Sequence, residues 1–268
     1  MPQSSIVPSI ASQRDAVGGR AARHLDLVFR ELMVGRGAEL GDGYLRLVTG
    51  EPHPLGNVAV VTDAGSPATT QAAIGPLLAC GFPTAVLYPA GVADDVARSV
   101  VAQGFQDAGK MPAMAVDIGR MPATTLPAGY DCARIGVGDD GRSWSEVLAL
   151  GYPLPPSLAR KFAPDALDAD MADDAAVQFF SVRSNGRAVA TSMLYLADGL
   201  AGIYCVATLE GERGKGLGAH VTAEALRAAQ RIGYSVGILQ SSPAGHPIYL
   251  RLGFADLGTV PMFVRMNA

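Results

Sequence analysis

From Val206 to Ala219 the chain reads VATLEGERGKGLGA, a β-rich run that passes through a glycine-rich loop into a helix. The helix follows from Leu217, Val221, Ala225, Ala228 and Ile232 forming one apolar stripe, while His220, Glu224, Arg227 and Arg231 fall on other faces. The loop therefore sits at a helix N-terminus. Gly214, Gly216 and Gly218 leave backbone amides uncovered, and the positive end of the helix dipole joins Arg213 and Lys215 in favouring an anion there. A phosphate or pyrophosphate is the expected guest. Neither common phosphate loop fits. A Walker A loop needs Gly-x-x-x-x-Gly-Lys-Ser/Thr, and Gly211 to Gly216 is followed by Leu217 and Gly218; a dinucleotide fingerprint needs Gly-x-Gly-x-x-Gly, and the spacing here is Gly214-x-Gly216-x-Gly218. On spacing alone, a turn that merely satisfies backbone geometry fits equally well.

The segments around the loop read as strands. Ala176 to Val182 (AVQFFSV) and Ala188 to Leu196 (AVATSMLYL) flank Asn185-Gly186, a pair suited to the positive φ angles of a two-residue hairpin turn. Gly202 to Thr208 supplies a third strand before the loop. After the helix expected over 217–232 come a strand at Val236 to Gln240, a short helix near 246–252 and a last strand at Val260 to Met266.

In the first half, Leu25, Val28, Phe29, Leu32 and Met33 have helical spacing within 14–34. Strands are expected at 44–48, 58–61, 84–89 and 113–118, and helices at 67–79 and 94–103, an order that implies a layered α/β fold. Residues 119–135 mix two prolines and two glycines with uneven polarity. Residues 151–164 (GYPLPPSLARKFAP) hold four prolines, which resist helix and strand pairing, and read as a linker or crossover. The expected division is a flexible leader over 1–12, one domain over 13–150, the linker over 151–164 and a second domain over 165–268.

Composition narrows the function classes. The 21 basic residues are set against 25 acidic ones, with a net charge of −4 and no long run of one sign, so nucleic acid and anionic membrane surfaces are not expected partners. Three scattered cysteines and four histidines give no disulfide framework or metal site, and fit a reducing cytoplasm. No apolar run is long enough to span a bilayer, and the first 20 residues lack the pattern of a secretory signal.

Arg213-Gly214-Lys215-Gly216-Leu217-Gly218 resembles the R/Q-x-x-G-x-G/A element of the GNAT superfamily of acyl-CoA-dependent N-acyltransferases. VATL at 206–209 resembles the strand that precedes it there, and Ile248-Tyr249-Leu250-Arg251-Leu252-Gly253-Phe254 is similar to the later element of that family that lies beside the cofactor's sulfur. The resemblance implies a mixed, mainly antiparallel sheet flanked by helices, and covers residues 175–268. Gly104-Phe105 and MPAMAVDI at 111–118 faintly resemble the closing part of a second copy, as in tandem-GNAT proteins, with the cofactor loop lost from the first half.

Carried over, the resemblance implies that backbone amides from Arg213 to Ala219, including Leu217, hold the pyrophosphate of acetyl-CoA, the acyl donor. It implies that Val206, Ala207 and Thr208 pair with the pantetheine, and that an amide near Val206 faces the thioester oxygen as an oxyanion donor. Tyr249 matches the phenol that protonates the departing thiolate. Ser242 stands where the family often has asparagine, leaving its bond to the pantetheine or the acceptor open. The family's frequent strand glutamate is missing from GIYCVAT, and Glu210, Glu212, Asp198, His246, a water chain or an acceptor that arrives neutral remain in its place.

The implied reaction is acetyl transfer to a primary amine, of a small molecule, by direct attack in a ternary complex. A protein N-terminus or lysine as acceptor, and an acyl-CoA-binding sensor without turnover, are the alternatives. An acyl-cysteine route through Cys205 is disfavoured because its apolar strand raises the thiol pKa. No metal is expected, and nothing in the letters supports an oligomer.

Overall fold

The computed structural model describes residues 14–138, 141–167 and 170–266; the expected leader, Met1 to Ser12, lies outside the described residues. The first half runs α1 (Arg14–Met33), β1 (Glu39–Gly41), β2 (Tyr44–Val48), β3 (Asn57–Val61), α2 (Pro67–Ala79), β4 (Thr84–Leu87), α3 (Asp94–Ala102) and β5 (Gln106–Asp117). The second runs β6 (Tyr130–Ile135), α4 (Gly141–Gly151), α5 (Pro156–Arg160), β7 (Val177–Ser184), β8 (Arg187–Ala197), β9 (Leu200–Thr208), α6 (Leu217–Arg231), β10 (Val236–Gln240), α7 (His246–Arg251) and β11 (Ala255–Arg265). The helices and strands expected from periodicity stand where the sequence put them, with ends shifted by a few residues. The Asn185-Gly186 turn has φ of 49° and 76°, and a second turn of the same kind, Asp198-Gly199, has 47° and 65°.

All eleven strands of the described residues join one sheet in the order β1-β2-β3-β4-β11-β5-β10-β9-β8-β7-β6. Most neighbours are antiparallel; β3–β4 and β9–β10 are parallel. The two central strands are exchanged. β11, the last strand of the chain, pairs with β4 of the first half, and β5 of the first half pairs with β10 of the second, while β5 and β11 pair with each other. This pairing extends β5 back to Gln106, well before the strand expected at 113, although Gly109 and Pro112 weaken its own preference.

The division drawn from the sequence shifts accordingly. β6 pairs with β7, and α4 packs on β8 and β9, so residues 130–151 join the second half instead of the first. The proline-rich stretch is no free linker: it contains α5, and Leu154, Leu158, Ala159 and Ala163 are buried, the first three in one core with Trp144. Proline is tolerated there because Pro156 occupies the first turn of α5, where its missing amide costs no helical bond.

Helices cover both faces. α2 and α3 pack on Ala59, Val61 and Val86, and α6 packs on Leu194, Ala201, Ile203 and Leu239. The opposite face carries α1, α4 and α5. Trp144 of α4 is fully buried, lies edge-on to Phe179 and donates its indole N–H to the Phe180 carbonyl at 3.1 Å. α1 crosses both halves: Val17 and Ala21 meet Ala115, Leu200 and Ile238, and Leu25, Val28 and Leu32 meet Leu45, Val58, Phe179 and Met193. Its outer side is anchored to the second half by Arg20 and Arg23 on Asp198.

The same stripe buries His24, and burial pushes its imidazole down from 6.5 to about 4. Between those values the unfolded chain binds a proton that the folded chain refuses, so stability falls as pH drops through this window. The expected loss is about 3 kcal/mol, at roughly 1.4 kcal/mol per pKa unit. Denaturant midpoints measured from pH 7 to 4 should show this slope and a shallower one in His24→Asn; equal slopes would contradict it.

Candidate active site

β9 is paired on both sides only as far as Ile203. β10 runs beside it through Gly237↔Ala201, Ile238↔Gly202 and Leu239↔Ile203, and there the pairing stops although β9 continues to Thr208. β10 stays with β5 on its other side, through Gln240↔Ala113 and a bond of 2.8 Å from the Ser241 amide to the Pro112 carbonyl. The two strands part, leaving a notch walled by the β9 backbone from Tyr204 to Thr208.

At the mouth of the notch β9 carries a bulge. Thr191 faces Ala207 and Met193 faces Tyr204, so Cys205 and Val206 together oppose Ser192 alone. The extra residue is accommodated by Cys205 in the left-handed region at φ 53°, a conformation that costs a non-glycine residue roughly 1 kcal/mol or more. The Thr191 hydroxyl donates to the Cys205 carbonyl at 3.0 Å. The bulge breaks the alternation of the strand: Tyr204 and Cys205 both turn to the core under α1 and α4, and Val206 turns to that under α6.

Tyr152 follows α4, and its phenol lies within electrostatic reach of the Val206 amide, the Cys205 thiol and the Tyr249 phenol. Burial pushes this phenol up, with Cys205 and Tyr249 adding to the effect. The residue as a whole is 40% exposed while its phenol is buried, so the tyrosine reaches from solvent toward the notch. Gly151, just before it, brings the end of α4 onto β9: a Cβ at this position would lie 2.5 Å from that of Ala207. Sequence reasoning missed Tyr152 because it lies in the stretch read as a linker. The signal available was the buried spacing of Trp144, Val147 and Leu148, which marks α4 as a packed helix leading to it.

At the loop, Gly214 and Gly216 both have φ of 80°, and nothing lies within 4 Å of a Cβ at either. Glycine is required there by backbone conformation, not by space. A Cβ on Gly218 would lie 3.3 Å from the Thr208 hydroxyl, which sets the loop against the end of β9. Gly216 precedes α6 and gives it no side-chain cap, so the amides of Leu217, Gly218 and Ala219 are left to an outside acceptor. A pyrophosphate fits that donor set. Arg213 folds back, its Nε 3.3 Å from the Thr208 carbonyl. Lys215 lies 2.7 Å from Glu212 and 2.9 Å from the Tyr130 hydroxyl, and Tyr130 donates to Glu212 at 2.6 Å. The bonds from Lys215 and Tyr130 hold the Glu212 carboxyl below its usual range, so these charges tie the loop to β6.

Tyr249 on α7 is 9% exposed and packs edge-on to Phe254. Burial pushes its phenol up to about 12, with the Thr222 hydroxyl acting in the other direction. Ser242 lies beside it: a Cβ on Gly245 would be 3.1 Å from the Tyr249 ring and 3.3 Å from the Ser242 hydroxyl, which accepts the Gly245 amide at 3.1 Å. Cys205 and Val206 thus form the bulge at the notch, Tyr152 and Tyr249 lie within electrostatic reach of each other, and the glycine loop follows the end of β9.

The four proton acceptors considered from the sequence are engaged or remote. Asp198 pairs with Arg20 and Arg23, Glu212 with Lys215, and His246 with Asp256 at 2.9 Å; Glu210 is exposed in the turn after β9. Burial pushes the Cys205 thiol up to about 12, which disfavours the thiolate an acyl-cysteine would need. Among the described residues no three or more His, Cys, Asp or Glu side chains group as metal ligands, and no helix is long and apolar enough to cross a membrane.

Residues 144–254 match the model of the acetyltransferase (GNAT) family. No curated protein matches the chain. Among solved structures, a GCN5-related N-acetyltransferase from Kribbella flavida is similar at 23% identity and a TM-score of 0.67, over 91% of this chain and 95% of that one. A second from Sphaerobacter thermophilus is similar at 16% identity and 0.63, over 96% and 93%. A tandem GNAT protein from the clavulanic acid biosynthesis pathway is similar at 15% and 0.50, over 79% and 75%. These likenesses establish the fold, and the match from α4 to Phe254 covers the notch, the bulge, the loop and Tyr249. Residues 144–254 thus match the GNAT family of acyl-CoA-dependent acetyltransferases, and the chain as a whole shares the fold of GCN5-related N-acetyltransferases.

Proposed function

We propose that the chain transfers an acetyl group from acetyl-CoA to a primary amine of a small molecule, by direct attack within a ternary complex. The observation that carries this reading is the parting of β9 from β10 beside the Cys205 bulge. It leaves a strand edge to pair with an extended pantetheine and presents the Val206 amide at the mouth. The uncapped amides of α6 would hold the pyrophosphate, at the distance from the bulge that β9 and the loop set. A thioester oxygen facing the Val206 amide accepts from it, and that amide then stabilises the oxyanion formed as the amine attacks. Tyr249 gives its proton to the sulfur as the C–S bond breaks, CoA leaves as the thiol, and the proton lost by the amine nitrogen passes to solvent, from which the Tyr249 phenol is restored. The raised pKa keeps Tyr249 protonated through neutral pH, as a general acid must be. The end of α4 and Tyr152 close over the notch, which favours a small acceptor over a folded protein surface.

Calorimetric titration with acetyl-CoA, followed by thiol release in a panel of small amines and lysine peptides, tests the reading. One-to-one binding and turnover of a small amine are expected; peptide turnover alone would redirect it to a protein acceptor. Tyr249→Phe should lower kcat about a hundredfold with little change in acetyl-CoA affinity. An unchanged kcat would remove Tyr249 from the mechanism. Gly216→Val forces a β-branched residue to positive φ and should weaken acetyl-CoA binding at least about tenfold, since helix and loop can no longer meet at the uncapped amides. Retained affinity would exclude the loop as the pyrophosphate site.

A further inference from the structure

The strand that walls the notch lacks a carboxylate, and at Gly202 it lacks a side chain altogether. A Cβ built there would collide with His24 Cε1 and lie 2.7 Å from Tyr204 Cε2 and 2.9 Å from His24 Nδ1. The hollow on β9 is filled by an imidazole delivered from α1, in the other half of the chain. His24 Nδ1 lies 2.9 Å from the Tyr204 hydroxyl, the two rings are within 8° of parallel, and Tyr195 lies edge-on to His24 at 5.2 Å. His24 is completely buried and its Nε2 has no hydrogen-bond partner. Tyr204 stands two residues before Val206, half-buried, beside Cys205 and Tyr195.

An imidazole pushed down to about 4 is neutral at pH 7, so one of its nitrogens is bare and can accept the phenol proton. The remaining groups around the bulge are the Tyr152 and Tyr195 hydroxyls and the Cys205 thiol, all neutral; of the acids, Asp198 is engaged with Arg20 and Arg23 and Glu212 with Lys215, while Glu31, exposed on α1, acts on the Tyr195 phenol. An ammonium brought to the Tyr204 hydroxyl would lose its water where the groups acting on that phenol are the uncharged Tyr195 and Cys205.

We propose that Tyr204, its proton held on His24 Nδ1, turns its oxygen lone pair to the N–H of the acceptor, and that the acceptor is a weakly basic amine, an arylamine or a hydrazine, that arrives neutral. Tyr204 touches the substrate, and His24 is the residue that positions it. The inference rests on the acetyl-transfer reading and names its acceptor class.

The test compares p-anisidine with n-butylamine as acceptors, after calorimetry has established acetyl-CoA binding. An aliphatic amine with a pKa near that of lysine is neutral in only about one molecule in a thousand at pH 7, so kcat/KM should favour p-anisidine by about a hundredfold or more. The n-butylamine value should climb about tenfold per pH unit from 7 to 9 while that for p-anisidine stays level. Tyr204→Phe, which keeps the ring, should raise the p-anisidine KM about tenfold with acetyl-CoA affinity unchanged, and His24→Asn should fall between it and wild type. Preference for n-butylamine at pH 7, an unchanged KM in Tyr204→Phe, or failure to use either amine while acetyl-CoA binds would overturn the proposal. Failure to bind acetyl-CoA would instead overturn the reading beneath it. Nitrogen-15 spectra of His24 test the pair without any acceptor: an unprotonated Nδ1 at pH 7 that shifts in Tyr204→Phe is expected, and a protonated Nδ1 would exclude it.

Discussion

The site depends on β10 being held away from β9. A parallel pair with a common origin would go on pairing to its end unless a stronger partner claimed one strand, and β5 is that partner. It pairs with β10 along all five of its residues and continues past it to Ser241, whereas β9 loses β10 after three. Beyond Ile203 the side of β9 that faced β10 is left without a strand partner, while β8 still pairs with its other side. An extended ligand pairing with that open side satisfies its backbone groups. Because β5 comes from the first half and β11 closes back on β4, the exchange that makes one sheet of two halves also shapes the notch. This dependence gives the first half a task even where it carries no cofactor loop of its own.

The two halves repeat one order of elements. α2-β4-α3-Gly104-Phe105-β5 corresponds to α6-β10-α7-Gly253-Phe254-β11, with β3 and β9 preceding each first helix. What differs is the helix entry. α6 begins on Gly216 with open amides; α2 begins on Ser66, whose hydroxyl accepts the Thr69 amide, and on Pro67, which has no amide to offer. Asp63 stands at the same end, taking a bond from the Thr69 hydroxyl at 3.3 Å. A capped helix beside a carboxylate repels the anion that the uncapped one attracts. The contrast separates two similar frames in physical terms: one leaves its helix amides open and the other caps them.

Much of this was legible in the letters, and for identifiable reasons. The glycine loop announces itself because positive φ leaves few alternatives to glycine, and α6 because its apolar stripe is regular. Tyr249 was found by resemblance, not by physics, since a half-buried tyrosine on a short helix has no signature of its own. The exchange of β5 and β11 was invisible: Gln106 to Pro112 has poor strand propensity and becomes a strand only because β11 lies beside it. Tyr152 and His24 were invisible for a related reason. One follows a helix end that only Gly151 lets close on Ala207, and the other fills a hollow that only Gly202 leaves open. Each contact joins elements far apart in sequence, and a glycine read alone does not say what will approach it.

A single cause governs the proton inventory across the notch. Burial raises the phenols of Tyr152, Tyr204 and Tyr249 and the thiol of Cys205, and lowers the imidazole of His24, so every titratable group there is held neutral. The same desolvation acts on whatever enters. In the proposed reaction it would penalise a departing thiolate, calling for a proton donor at the sulfur, and it would penalise an ammonium, calling for a neutral amine as the attacking species. A carboxylate on β9 would reverse the second demand by pairing with the ammonium and then drawing off its proton. At Gly202 there is instead no side chain, and an uncharged ring fills the gap. The proposed chemistry would therefore begin and end with uncharged partners, with negative charge developing on the oxygen that faces the Val206 amide and positive charge on the attacking nitrogen until its proton leaves.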